Sequence, residues 1–424
     1  MTTRHFLLTP VGSSGDVHPF IGIGRGLRSR GHDVTILTAE PFREVIARAG
    51  LRFVPTHSTE EFDRVSQDPA LWHPRRGIQR VLTAAAQGLR REYDQLAACY
   101  EPGRTVLAGH PLAFATRLFE EAHHAPAATI QLAPSVFRSR YQQPVHYPGY
   151  DASGYPAWLT RTLWWVIDRA FIDPYIVPAL NRFRREMGLG PISRVFQEWL
   201  HSPQRVLGLF PEWFGPPQPD WPAQLRLTGF PLYDEADQHG VPPALEAFLR
   251  GGAPPVLFTF GSANRAAGAL LRTGAAAAAR LGQRAVLLTR HADQIPRGLP
   301  AGVHHERYVP LSLLLPRCAA IVHHGGIGTC AQGLAAGIPH VVVPLAFDQP
   351  DNAARLERLG VGRWVLPTRL TPPRLADAIA PLLSDPAVRE RCRRWANAIQ
   401  TADAVDAACR WLEDIPATTA PMSS

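Results

Sequence analysis

Two short stretches of this 424-residue chain carry residue types and spacings able to do chemistry. The first is His323-His324-Gly325-Gly326-Ile327-Gly328-Thr329, set between an apolar run ending at Val322 and a helix-like run reaching Gly337. Glycines there let a ligand approach the backbone, and a new helix offers unpaired N–H groups to an anion. His323 beside those amides adds a donor for a diphosphate oxygen, so the loop could stabilise a leaving group without a bound cation. A tight strand-to-helix turn with two incidental histidines is the plainer reading. It loses weight because the next apolar run, ending at Pro344-Leu345-Ala346-Phe347, leads into Asp348-Gln349 on the same edge. An acid beside an amide suits the vicinal hydroxyls of a sugar; in isolation the pair would be a helix-capping turn.

The second stretch is Gly12-Ser13-Ser14-Gly15-Asp16-Val17-His18-Pro19. Asp16 stands where a strand gives way to a helix and is a candidate base for an acceptor hydroxyl, a role worth ~100- to 10,000-fold in rate. His18, two residues on, could assist or replace it. Asp16 could also cap the helix, and the two roles are compatible. Gly22-Ile23-Gly24-Arg25-Gly26 superficially resembles a nicotinamide fingerprint, but it lies inside the helical pattern and lacks the G-x-G-x-x-G spacing.

The elements that must position these residues repeat a strand–turn–helix pattern. Residues 4–10 are apolar, a helical pattern through Phe20, Ile21, Ile23 and Leu27 follows, and Asp33–Thr38 reads as a second strand. Thr105–Gly109 and Ala127–Gln131 are further strands. The pattern restarts at Pro255–Phe260, which ends in Gly261-Ser262, and continues through Arg284–Thr289, Ala319–Val322 and His340–Pro344. The expected architecture is α/β, with two Rossmann-like doubly wound domains facing across a cleft and ligands at the carboxyl ends of the strands. The expected boundaries are 1–232 for an acceptor-binding domain, 233–254 for a Pro-, Gly- and acid-rich linker and 255–386 for a nucleotide-sugar domain. A C-terminal helix over 387–413 packs back on the first domain, and 414–424 is a frayed tail.

Composition narrows the function. A hydrophobic content of 46% with 19% charged residues describes a globular chain, and no apolar run reaches membrane-spanning length. The apolar stretch after His5 is too short for a signal peptide and reads as a first strand, giving a cytoplasmic expectation. Five scattered cysteines without a C-x-x-C pair argue against a zinc site or a disulfide framework, so no metal is expected. The net charge of +8 comes from dispersed arginines, which does not favour nucleic acid. The chain has no lysine, which removes a Walker-type phosphate loop, a Schiff base and a lysine general base.

The run H-H-G-G-x-G-T, then G-x-P, then D-Q-x-x-N-A-x-R-x-x-x-x-G-x-G resembles the donor signature of the nucleotide-sugar glycosyltransferases with the GT-B fold. The resemblance spans Tyr308 to Gly362 and implies inverting, metal-independent sugar transfer. It implies that His323 and the segment Gly325, Gly326, Gly328 and Thr329 bind the diphosphate, and that Asp348 and Gln349 bind the sugar. Tyr308-Val309-Pro310 resembles the family's tryptophan-x-proline motif, which implies that Tyr308 stacks on the base and the Val309 backbone bonds it. Gly261-Ser262 resembles the phosphate-facing turn of the second domain. Many bacterial and sterol members carry aspartate where Asp16 stands; plant members carry histidine.

Asp68–Pro74, His201–Gln204, Leu209–Phe214 and Leu227–Leu232 extend the resemblance towards the catalytic rhamnosyltransferase chain of bacterial rhamnolipid biosynthesis. That implies a dTDP-rhamnose co-substrate, no separate cofactor and a 3-(3-hydroxyalkanoyloxy)alkanoate acceptor. A UDP-glucose-type transferase acting on a sterol, polyketide or other small hydrophobic alcohol is the alternative, and a non-catalytic sugar-nucleotide or lipid-binding protein is another. Residues 155–187 are aromatic and apolar with interspersed arginines, which suits an acceptor wall, peripheral contact with an inner membrane, or a covering of the first domain. Trp72, Phe137, Trp164 and Phe214 are the candidate acceptor walls.

Overall fold

The computed structural model describes residues 3–73, 76–145, 154–261, 264, 267–296 and 298–416. The chain folds as two α/β units. One comprises residues 1–144, 151–231 and 403–424, the other residues 145–150 and 232–402.

In the first unit the strands are β1 (His5–Thr9), β2 (Asp33–Thr38), β3 (Arg52–Pro55), β4 (Thr105–Gly109), β5 (Ala127–Gln131), β6 (Val206–Gly208) and β7 (Leu225–Leu227). They form one parallel sheet in the order β3-β2-β1-β4-β5-β6-β7. A parallel sheet covered on both faces needs unbroken apolar strands. β1, β4 and β5 are buried along their whole length. The helix Arg76–Cys99 supplies Leu82, Leu89, Tyr93 and Leu96 to the core beneath it.

The second unit repeats the plan with β8 (Val256–Thr259), β9 (Ala285–Leu288), β10 (Val303–Glu306), β11 (Ala320–His323), β12 (His340–Val342) and β13 (Gly362–Trp364). Its order is β10-β9-β8-β11-β12-β13, again all parallel. In both sheets the strand order reverses once, between β1 and β4 and between β8 and β11. Such a switch point leaves the carboxyl ends of the two flanking strands open to a ligand.

Four boundaries differ from the sequence reading. The stretch 233–254 is not a bare linker. It contains the helix Pro243–Arg250, whose Leu245 and Leu249 are buried in the second unit's core. Pro242 and Pro243, which read as breakers, instead start this helix, where a missing N–H costs nothing. The stretch 387–413 is two helices, Pro386–Gln400 and Ala404–Glu413, each started by an aspartate that accepts from a backbone N–H (Asp385 from Ala387, Asp403 from Asp406). Only the second helix belongs to the first unit. Within 414–424, Ile415 is buried and its carbonyl accepts from Arg4, so the chain is held at least that far; residues 417–424 lie outside the described residues. Val145 falls in the second unit, where its N–H donates to Asp351.

Gly24 and Gly26 of helix α1 (Ser14–Ser29) serve packing. A Cβ on Gly24 would sit 2.9 Å from Leu51, and one on Gly26 would sit 2.7 Å from Val405 and 2.9 Å from Cys409 on the last helix. Arg30 reinforces that contact with ion pairs to Asp406 and Glu413. Among the described residues no helix is long and apolar enough to cross a membrane. Gly26→Val should therefore lower stability by about 1–3 kcal/mol through overpacking, read as a lower urea midpoint with an unchanged slope.

Candidate functional site

At the switch point of the first sheet, β1 leaves through Gly12, whose φ is +132°. That conformation suits glycine, and space demands it as well, because a Cβ at Gly12 would lie 2.3 Å from Asp16 Oδ2. The carboxylate folds back over the turn. Its Oδ2 accepts from the Ser13 N–H at 2.7 Å and from Ser13 Oγ at 3.0 Å. Oδ1 has no hydrogen-bond partner among the described residues. Burial raises the Asp16 pKa to about 6, with the two Ser13 bonds opposing it. Asp16 thus caps α1 and also holds a basic oxygen at the strand edge. His18 lies two residues further along the same helix, about 200° around its axis from Asp16.

The switch point of the second sheet is built on two histidines with opposite fates. His323 ends β11 and is fully buried. Its Nδ1 accepts from the Gly325 N–H at 3.1 Å, and its Nε2 meets His340 Nδ1 at 3.0 Å. The first bond fixes the proton on Nε2, which donates to His340. Burial drives both rings to the neutral form, His340 to a pKa of about 3. Neither His323 nor the Gly325 amide is available to a phosphate, which corrects both sequence assignments.

His324 takes the open side instead. Its ring rests on two glycines: a Cβ on Gly261 would lie 3.1 Å from it and one on Gly326 would lie 2.6 Å from Nε2. Neither ring nitrogen has a hydrogen-bond partner among the described residues, and Nδ1 is wholly buried. Desolvation lowers its pKa to about 4, so the ring is neutral and carries one N–H donor. Gly326 is the N-cap of the helix Ile327–Ala335, whose first amides, including those of Gly328 and Thr329, have no partner within the helix. Gly261 at the exit of β8 has φ +89°; Ser262 lies outside the described residues.

Asp348 is the N-cap of the next helix, Gln349–Arg358. Asn352 bonds Asp348 Oδ2 at 2.7 Å and the Gly325 carbonyl at 2.9 Å, tying the acidic residue to the glycine turn. Gln349 is buried, and its Oε1 accepts from the Leu345 and Ala346 amides, leaving its NH2 as the group able to face a sugar. Phe347 between these parts has φ +58° and is 40% exposed, a strained conformation of the kind concentrated at working sites. Tyr308 donates to Glu235 at 3.1 Å, with the Arg290 guanidinium 4.5 Å and the His239 ring 5.3 Å from its ring centroid. Val309 is buried. A cavity of about 350 Å³ in this unit is lined by Asp234, Glu235, Ser312, Pro316, Gln332 and Ala336; Gln332 lies one turn beyond Thr329 on the helix Ile327–Ala335.

Two expected acceptor walls are core residues. Phe137 is 1% exposed and stacks on His201 and Trp221, while Phe214 is 2% exposed and packs edge-on against Trp213 and Phe230. Trp72 and Trp164 are half-buried, the latter beneath Arg138. In the 155–187 stretch, Trp158 is 68% and Trp165 51% exposed. The sequence reading missed His324 as the open ring, and it missed His340 and Asn352. Asn352 was findable, since it lies four residues after Asp348 and therefore on the same helix face. His340 reaches His323 only through strand pairing.

Residues 6–141 match the glycosyltransferase family 28 N-terminal domain, and residues 275–406 match the erythromycin biosynthesis protein CIII-like C-terminal domain. The O-mycaminosyltylonolide 6-deoxyallosyltransferase of Streptomyces fradiae is 34% identical over 445 residues, covering 97% of each chain. The 4'-demethylrebeccamycin synthase of Lentzea aerocolonigenes is 28% identical over 96% of this chain and 97% of its own. The solved structure of the kitacinnamycin glycotransferase shares 24% identity and superposes with a TM-score of 0.75, covering 98% of this chain and 100% of that one. A spinosyn rhamnosyltransferase complexed with thymidine diphosphate shares 21% identity with a TM-score of 0.68, covering 97% of this chain and 100% of that one.

The chain belongs to the nucleotide-sugar glycosyltransferases of GT-B fold. The relatives named above are enzymes of tylonolide, rebeccamycin, kitacinnamycin and spinosyn compounds rather than of rhamnolipids, which corrects the rhamnolipid-type resemblance as the guide to its subgroup.

The two histidines should separate on mutation. His324→Ala should weaken nucleoside diphosphate binding about tenfold with little change in melting temperature, by calorimetry. His323→Ala should lower stability by about 2 kcal/mol or more, because it strands the Gly325 N–H and His340 in the interior.

Proposed function

We propose that this protein transfers a sugar, with inversion, from a nucleoside-diphosphate donor to a hydroxyl of a polyketide or macrolide-type acceptor. The observation that carries the reading is the Gly12 turn, which holds a carboxylate of pKa about 6 at a strand edge with one oxygen open. Asp16 Oδ1 takes the proton of the acceptor hydroxyl. The hydroxyl oxygen forms the new bond to the anomeric carbon as the bond from that carbon to the diphosphate breaks. The electron pair leaves on the diphosphate, where the amides of Ile327, Gly328 and Thr329 and the His324 N–H receive the charge. Asp348 and the Gln349 NH2 hold sugar hydroxyls. Tyr308 and the Val309 backbone are placed with the base.

A dTDP-activated 6-deoxyhexose, of which rhamnose is one, is the favoured donor. Support comes from the relative named for 6-deoxyallosyl transfer and from the rhamnosyltransferase bound to thymidine diphosphate. A UDP-sugar is the competitor. The long-chain lipid acceptor loses ground because Phe137 and Phe214, two of its expected walls, are committed to the core. Thermal-shift screening should show stabilisation by dTDP and dTDP-6-deoxyhexoses; a response to UDP-glucose alone would overturn the donor assignment.

A base must be ionised to act, so kcat/KM for the acceptor should rise with pH through about 6 and then level off. Asp16→Asn should abolish that limb, lower turnover ~100- to 10,000-fold and leave nucleotide affinity intact. Stability should move the other way. The folded-state pKa lies above the ordinary aspartate value, so the wild type loses stability as pH rises from about 4 to 6. Asp16→Asn should lack that loss and be the more stable protein at pH 8 in urea unfolding.

A further inference from the structure

One titratable residue at the first unit's switch point is used by none of the steps above. His110 follows the last residue of β4, and its N–H donates to the Thr9 carbonyl at the end of β1 at 3.0 Å. The two strand ends are drawn together there: Thr9 and Thr116 hydroxyls bond at 2.8 Å, and a Cβ on Gly109 would lie 2.9 Å from Thr9 Oγ1. One residue beyond Thr9 begins the turn that carries Asp16.

The ring state of His110 follows from its contacts. Nδ1 accepts from the Leu112 N–H at 3.2 Å, so the single proton of the neutral ring sits on Nε2. Nε2–H has no hydrogen-bond partner among the described residues. Burial lowers the pKa to about 3, which keeps the ring neutral wherever Asp16 is ionised. A neutral ring of this tautomer is a donor only. It cannot compete with Asp16 for a proton, and it brings no cation to lower the carboxylate's basicity.

Adjacent strand ends thus present complementary open valences: an acceptor oxygen on Asp16 and a donor N–H on His110. A hydroxyl group fits both, because it donates one hydrogen and accepts through its lone pairs. We propose that His110 binds the reacting hydroxyl of the acceptor, its Nε2–H donating to the oxygen whose proton Asp16 removes. The bond orients that oxygen and selects for alcohols. The proposal rests on the sugar-transfer reading.

The test compares wild type, His110→Ala and His110→Gln, the last keeping an amide donor at similar reach. His110→Ala should lower kcat/KM for the acceptor alcohol about tenfold with dTDP affinity unchanged, and His110→Gln should recover most of the loss. In 15N-imidazole spectra of the full-length protein, His110 should be the neutral Nε2–H tautomer from pH 6 to 8. Acceptor kcat/KM within twofold of wild type in His110→Ala, an equal loss in His110→Gln, or an Nδ1–H or charged ring would overturn the proposal. A wild type that transfers sugar to no alcohol would instead overturn the sugar-transfer reading itself, a failure the spectrum distinguishes because it needs no turnover.

Discussion

Where strand order reverses in a parallel sheet, the chains leaving the two flanking strands part to opposite faces, and the backbone groups at their carboxyl ends lose their neighbours. The proposed chemistry depends on how two such openings are furnished. At β1 and β4 the opening receives a carboxylate and an imidazole, each with one valence committed to the backbone nearby and one left over. At β8 and β11 it receives a helix start and an imidazole seated on glycines. Neither arrangement tolerates a side chain where the strand exits. Gly12 and Gly261 have positive φ, and a Cβ at either would press on the very group it serves.

The second opening also shows why buried polar groups must be satisfied in series. His323 lies wholly inside the protein, yet it is not there for a ligand. It relays a hydrogen bond from the Gly325 amide to His340, and the helix on which Gly333 sits packs close enough that a Cβ there would be 2.3 Å from the His340 ring. A neutral pair held this way holds the glycine turn in shape without placing charge beside the proposed diphosphate site. Asn352 does the same from the other side, joining the Gly325 carbonyl to Asp348. The Gly325 peptide is therefore gripped at both its N–H and its C=O.

Much of this was legible in the sequence. The strand–glycine–helix repeat marks β1, β2, β4 and β5 of the first sheet and β8, β9, β11 and β12 of the second, while it leaves β3, β6, β7, β10 and β13 unread. Asp16 could be singled out as a base or a helix cap, and it does cap the helix. What was not legible has physical causes. His323 and His324 are neighbours of one type, and strand alternation sends one inward and the next outward only once the end of β11 is known. His340 meets His323 across paired strands, a non-local contact without sequence periodicity. Phe137 and Phe214 suited a pocket wall and a core equally well, since a large aromatic buries its area in either. The helix Pro243–Arg250 was hidden by prolines that belong at a helix start as readily as in a loop.

The last helix has a consequence for hybrid enzymes. A hybrid that exchanges the first and second units between relatives would most simply place its join around residue 232. Such a chimera would inherit residues 404–413 with the second unit, although they are part of the first unit's core. There Val405 and Cys409 lie over Gly26, Arg30 is paired with Glu413, and Arg4 binds the Ile415 carbonyl. A workable exchange therefore needs two joins, one near residue 232 and one near residue 402, so that the first unit keeps its own terminal helix.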